Sequence, residues 1–245
     1  MTELLRVTLL GLFFGTFGTT IGGLIGVNLK SNSNKFFGFI LSFASGLMMA
    51  IICFDLLPEA MEIASLAVIL LGILLGIFTM IICDTRVKEK FSNKKGMNSL
   101  LRTGIIISIG LALHNIPEGL AIGTGFQASI NLGLSLAIVI AIHDVPEGIS
   151  MAVPMKKGGM SKGKVIFYVI MSGISTGRGA LVGHLVGGIS ESIIAASLSF
   201  AAGAMLYVVV EELIPEMSEA PHSNVGTIFF AVGFALMMTS DVALG

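Results

Sequence analysis

Charge is what this sequence has least of. Asp, Glu, Lys and Arg supply 12% of its 245 residues, against 54% apolar residues, and the mean hydropathy is +0.96. A soluble globular domain of this length is excluded, because its surface needs far more charge. Cysteine is nearly absent. Cys53 and Cys83 lie in different apolar runs without Cys-x-x-Cys spacing, so a thiolate pair is excluded and both are expected as small buried residues. No cleavage site of small residues ends the first apolar run. Met1-Thr2-Glu3-Leu4-Leu5-Arg6 leads into a Gly-rich stretch that reads as a retained first span, not a signal peptide. Nothing suggests a soluble domain, a low-complexity tail or a nucleic-acid partner.

What the chain does have is long apolar runs. Several exceed the ~18–20 residues that cross a bilayer as a helix. The fold class is an all-α polytopic membrane protein with one transmembrane domain over 1–245. Eight spans are expected, at roughly 4–28, 35–57, 64–84, 101–126, 131–155, 164–189, 192–216 and 224–244. The longest connection is 85–100.

The basic residues orient these spans. Lys30 and Lys35, then Arg86, Lys88, Lys90, Lys94, Lys95 and Arg102, then Lys156, Lys157, Lys162 and Lys164 flank one side: twelve of fourteen. By the positive-inside rule that side is cytoplasmic and both termini are extracytoplasmic.

An internal repeat supports the count. The stretch from Phe43 to Glu59 matches that from Phe200 to Glu216, sharing Phe-Ala, Gly, Met and Pro-Glu landmarks at a constant offset of 157. The same offset pairs Thr19, Gly22 and Gly26 with Thr176, Gly179 and Gly183. Repeat one (about 1–85) and repeat two (about 164–245) are therefore inverted, with a central pair (about 101–155) between them. Inverted repeats with a midplane site are a transporter signature.

The central pair carries the chemistry. His114-Asn115-Ile116-Pro117-Glu118 and His143-Asp144-Val145-Pro146-Glu147 repeat one another at an offset of 29. His and Glu four residues apart share a helix face. Both motifs lie ~18–20 Å into the ~30 Å core, at one depth in an antiparallel pair. Ionisable residues there are costly unless they serve a function, and imidazole with carboxylate suits a divalent first-row cation. Pro117 and Pro146 cannot donate to the carbonyls of Leu113 and Ile142, so kinks and partial unwinding are expected beside the ligands. Asp55 and Glu59 toward the outer side, and Asp84, Glu211, Glu212 and Glu216 toward the inner, read as an entrance and an exit for the cation. Met48 shares a face with Asp55 and Glu59 and offers a thioether.

At these residues the chain resembles the ZIP (Zrt/Irt-like) family of metal transporters, most closely a bacterial GufA-like branch. The resemblance covers essentially the whole chain and is most specific in the two central motifs and in Glu211-Glu212-Leu213-Ile214-Pro215-Glu216. It implies eight spans, a homodimer in the bacterial inner membrane, and movement of Zn2+, Cd2+, Fe2+ or Mn2+ toward the cytosol. It places the central site on His114, Glu118, His143 and Glu147, with Met48 adding a ligand. A second metal would fall on Asn115 and Asp144, bridged by Glu118 and Glu147. It also implies an elevator-like shift of spans one, four, five and six against the other four.

Two departures stand out. The loop after span three is basic and has no His, unlike the His-rich loop of many relatives. In span six, relatives often read Ser-Gly-Leu-Ala-Glu-Pro-Leu-Gly-Ala, and the Glu helps hold the second metal. Here Thr176 takes its place and Arg178 stands mid-span. One expectation is that Arg178 pairs with a carboxylate or with freed carbonyls. The sharper one is that its charge replaces the second metal beside Asp144 and Glu147, leaving one central ion per chain. The competing functional readings are an intramembrane metal-dependent enzyme, for which spacings such as His-Glu-x-x-His are lacking, and a structural scaffold. Carboxylates along the whole path favour transport.

Overall fold

The computed structural model describes residues 3–29, 34–92, 99–215 and 223–244, and among them every regular element is helical. The order is α1 (Glu3–Asn28), α2 (Asn34–Ala50), a π-helical stretch (Ile51–Leu56), α3 (Leu57–Ile63), α4 (Leu66–Ser92), α5 (Ser99–Ala128), α6 (Ile130–Lys157), α7 (Lys162–Gly187), α8 (Glu191–Val208), a second π-helical stretch (Val209–Leu213) and α9 (Ser223–Leu244). Seven of the described helical rods are long and apolar enough to cross a membrane, α2 through α3 counting as one, and Asn224–Met238 is a shorter apolar helix.

Connections are tight and chemically marked. Ser129 alone separates α5 from α6, and its hydroxyl accepts the Leu132 N–H as an N-cap. Gly159 turns the chain between α6 and α7 at φ 95°, a backbone region that side-chain-bearing residues avoid. The third span departs from expectation. The reading from sequence makes 85–100 a loop, but α4 stays helical to Ser92. Lys, Glu and Arg are good helix formers, and Lys88 pairs with Asp84 one turn earlier at 2.7 Å. The cysteines also differ from expectation: Cys53 is exposed and Cys83 intermediate, on faces of the bundle that an apolar thiol can present to lipid.

Close approach at glycines joins the helices. Lipid gives apolar helices no hydrophobic drive to associate, so small residues that admit a neighbouring backbone do that work. A Cβ on Gly22 would overlap the Val145 carbonyl of α6, and one on Gly148 the Thr19 carbonyl of α1. On the other side of the bundle, Gly119 of α5 abuts the Thr176 carbonyl of α7, and Gly179 abuts that of Ile116. So α1, α5, α6 and α7 interlock as one bundle. Elsewhere Gly46 of α2 meets the Phe230 carbonyl of α9, and Gly203 of α8 meets the Ile73 carbonyl of α4. These contacts are matched: the offset of 157 carries Gly46 to Gly203 and Ile73 to Phe230.

The prolines distort the helices in places other than those expected. α5 and α6 remain helical through Pro117 and Pro146, so the unwinding expected beside the ligands is not seen. The departures from α geometry precede Pro58 and Pro215 instead. The Leu57 N–H reaches back to the Ile52 carbonyl and the Ile214 N–H to that of Val209, five residues each. Each proline following has no N–H to give, and the widened turn absorbs the missing bond.

Candidate metal centre

His114 and His143 stand near the middles of α5 and α6, which the one-residue connection at Ser129 makes antiparallel neighbours. Each motif's His and Glu lie one turn apart on the face turned to the other helix. Glu118 Oε1 sits 2.6 Å from His143 Nε2 and 3.0 Å from His114 Nε2. Glu147 Oε1 lies 3.5 Å from His114 Nε2. One donor atom from each of the four residues falls within 4.8 Å of every other. That is little more than the width of a coordination sphere with bonds of ~2.0–2.2 Å. All four are buried, none more than 1% exposed.

The donor set fits a divalent cation. Three carboxylates, Glu118, Asp144 and Glu147, are buried, and their ion-pair contacts among the described residues are with His114 and His143. Among the described residues, Glu118 Oε2, Glu147 Oε2, Asp144 Oδ2 and the Nδ1 atoms of both histidines have no hydrogen-bond partner. A buried polar atom left so costs about 1–3 kcal/mol, more for a charge, and native proteins rarely tolerate several in one place. A divalent ion held among these oxygens and nitrogens would give them the ligation they lack.

Around this centre the other expected residues distribute unevenly. Asn115 is buried and donates from Nδ2 to the Ser172 carbonyl at 3.2 Å, while Oδ1 has no partner among the described residues. Asp144 Oδ1 is 3.7 Å from His143 Nε2. Thr176 is fully buried against the face of Gly15, and its hydroxyl lacks a partner among the described residues. Arg178 departs from the expectation that it stands beside the centre. It is exposed on the outer face of α7 and has no ion-pair partner among the described residues, so its charge does not stand beside Asp144 and Glu147. The ~200° between positions two apart on a helix puts Thr176 inside and Arg178 outside. Met48 is fully buried in the apolar core.

The flanking carboxylates separate along the bundle. Asp55 is buried on the first π-helical stretch and Glu59 half-buried on α3. At the other end Asp84 and Glu211 line one cavity of about 190 Å³. Glu216 and the side chain of Glu212 lie outside the described residues. Two residues there escaped the reading of the sequence. Tyr207 donates from its hydroxyl to Asp84 Oδ2 at 3.0 Å, and Lys88 Nζ approaches the same oxygen at 2.7 Å. Both carried a signal: Lys88 is one turn from Asp84, and Tyr207 one turn from Glu211.

Comparison with known proteins bears on this geometry. A family profile described as ZIP Zinc transporter matches residues 86–241. The zinc transporter ZupT of Salmonella heidelberg is 31% identical over 238 residues, 92% of each chain. The zinc transporters ZIP11 of Xenopus tropicalis and Homo sapiens are 38% and 36% identical over 158 and 157 residues, 62% and 61% of this chain. The match spans about half the length of those ZIP11 relatives, 47% and 46%.

Proposed function

The chain belongs to the ZIP zinc transporter family, and from that premise we propose that it carries zinc across the bacterial inner membrane toward the cytosol. The observation that carries the reading is the convergence of His114, Glu118, His143 and Glu147 within one buried coordination sphere at mid-helix. In this reading Met48 would add a thioether ligand, and a second ion, if held, would use Asn115 and Asp144 with Glu118 and Glu147 as bridges. Cadmium, iron and manganese suit the same donors as alternative cargo.

The path runs from Asp55 and Glu59 past the centre to Asp84, Glu211, Glu212 and Glu216. Eight spans in an inverted 3+2+3 arrangement are supported by the paired contacts Gly46–Phe230 and Gly203–Ile73 and by π-helical stretches at matching positions of the two repeats. Both termini are extracytoplasmic by the distribution of basic residues. The homodimer follows from family likeness. A shift of α1, α5, α6 and α7 as one body is supported by the glycine contacts that interlock them.

Transport is favoured over an intramembrane metalloenzyme or a scaffold, since the relatives are named as zinc transporters. Uptake of zinc, cadmium, iron and manganese into proteoliposomes tests the reading. Saturable zinc uptake, competed by the other ions, is expected; no uptake of any of the four contradicts it.

A further inference from the structure

The cavity at the basic end of the bundle holds a feature that metal release alone does not require. It is about 190 Å³ and reaches inward to Gly110 of α5, one turn below His114 and so about 6 Å from it along the helix. Among the described residues, Asp84 and Glu211 are the carboxylates that line it. Yet Asp84 already holds a cation, because Lys88 Nζ lies 2.7 Å from Oδ2. An ion pair one helical turn apart is usually a solvated surface contact worth little. This one differs in three respects. The Asp84 side chain is only 14% exposed, against 59% for Lys88. The same carboxylate oxygen is fixed from across the bundle by the Tyr207 hydroxyl of α8. And Lys88 lines the same cavity as Glu211.

We propose that Lys88 is a tethered counter-ion of the inner vestibule, which occupies Asp84 between turnovers and keeps this exit from becoming a second metal trap. The assignment rests on the transport reading above. A path must attract an ion enough to accept it and weakly enough to release it. Two carboxylates in a half-enclosed cavity would hold a dication well. Of the described lining residues, Asp84, Lys88 and Glu211 together carry one net negative charge, and the departing ion competes with an ammonium for Asp84. Because the lysine stem is long and its head largely exposed, Lys88 can swing aside as the ion passes and return behind it. The same charge repels cations approaching from the cytosolic side.

The test reads binding separately from transport. Zinc stoichiometry is measured by equilibrium dialysis of the full chain in detergent, for the wild type, Lys88→Gln, Lys88→Met, Lys88→Arg and the double variant Lys88→Gln with Asp84→Asn. Both neutral variants should bind one zinc more than the wild type, with vestibule affinity about tenfold tighter once the repelling charge is gone. The extra ion should vanish in the double variant, and Lys88→Arg should match the wild type. In proteoliposomes the neutral variants should show a lower maximal uptake rate with no rise in KM, as expected for slowed release. Unchanged zinc number and affinity in both neutral variants would overturn the proposal, as would an extra zinc that survives Asp84→Asn. Wild-type protein that moves no zinc would refute the transport reading alone, and the stoichiometry would still decide the role of Lys88.

Discussion

One oxygen of Glu118 sits 2.6 Å from Nε2 of His143, across the boundary between α5 and α6, and the same oxygen lies 3.0 Å from Nε2 of His114. A carboxylate shared by two imidazoles at this depth ties both repeated motifs to one point. It also sets a competition: a proton shared in those contacts and a bound cation use the same lone pairs.

Metal binding should therefore weaken as pH falls. Imidazole ligates only when its nitrogen is free of a proton, and each ion bound releases protons. Free imidazole titrates near ~6.5, so zinc affinity measured between about pH 5 and 7.5 should fall steeply toward the acid end. Affinity that stays level across that range would show that histidine nitrogens are not ligands.

The number of central ions should respond to position 176. Thr176 is fully buried, and its hydroxyl, Asn115 Oδ1 and the Asp144 carboxylate oxygens all lack hydrogen-bond partners among the described residues. One tightly bound central zinc per chain is expected, and Thr176→Glu should raise the count toward two by adding a carboxylate on the inward face of α7. Since Arg178 points outward, no change at 178 is needed. Elemental analysis of both proteins at equal saturation decides it, and an unchanged count in Thr176→Glu would show that the threonine is not what limits the second site.

Packing of the α5–α7 contact should be intolerant of a single methyl. Gly119→Ala would drive a Cβ into the Thr176 carbonyl, and overpacking of this kind costs about 1–3 kcal/mol. Gly163→Ala, in the first turn of α7 and with nothing within 4 Å of its Cβ, should instead leave stability unchanged or slightly raised. Thermal unfolding in detergent compares the two, and a Gly119→Ala protein as stable as the wild type would contradict the interlocked bundle.

Much of this was legible in the sequence, for definite reasons. His-x-x-x-Glu twice at one offset places four donors by helix geometry alone, and the structure brings those four together. The long apolar runs located the helices because nothing but a membrane tolerates them. What could not be read depends on distant neighbours. The extension of α4 to Ser92 follows from helix propensity and the Asp84–Lys88 pair outweighing a run of charge that otherwise reads as loop. The outward face of Arg178 was implied by its ~200° separation from Thr176, but which of the two turned inward is set by the contact of Thr176 with Gly15. The π-helical stretches depend on how each helix absorbs a proline. The same residue leaves α5 and α6 helical and widens the turns before Pro58 and Pro215.

Whether the four converging residues hold the transported ion is tested most directly at Glu118, because its oxygen approaches both imidazoles. Glu118→Gln keeps the shape and removes the charge. Zinc uptake into proteoliposomes is measured for the wild type and this variant, with helical content checked by circular dichroism. Saturable uptake by the wild type is predicted, and a fall of more than ~100-fold in Glu118→Gln, since changes even behind a metal's ligands cost about 10–100-fold. A folded Glu118→Gln protein that takes up zinc at the wild-type rate would contradict it.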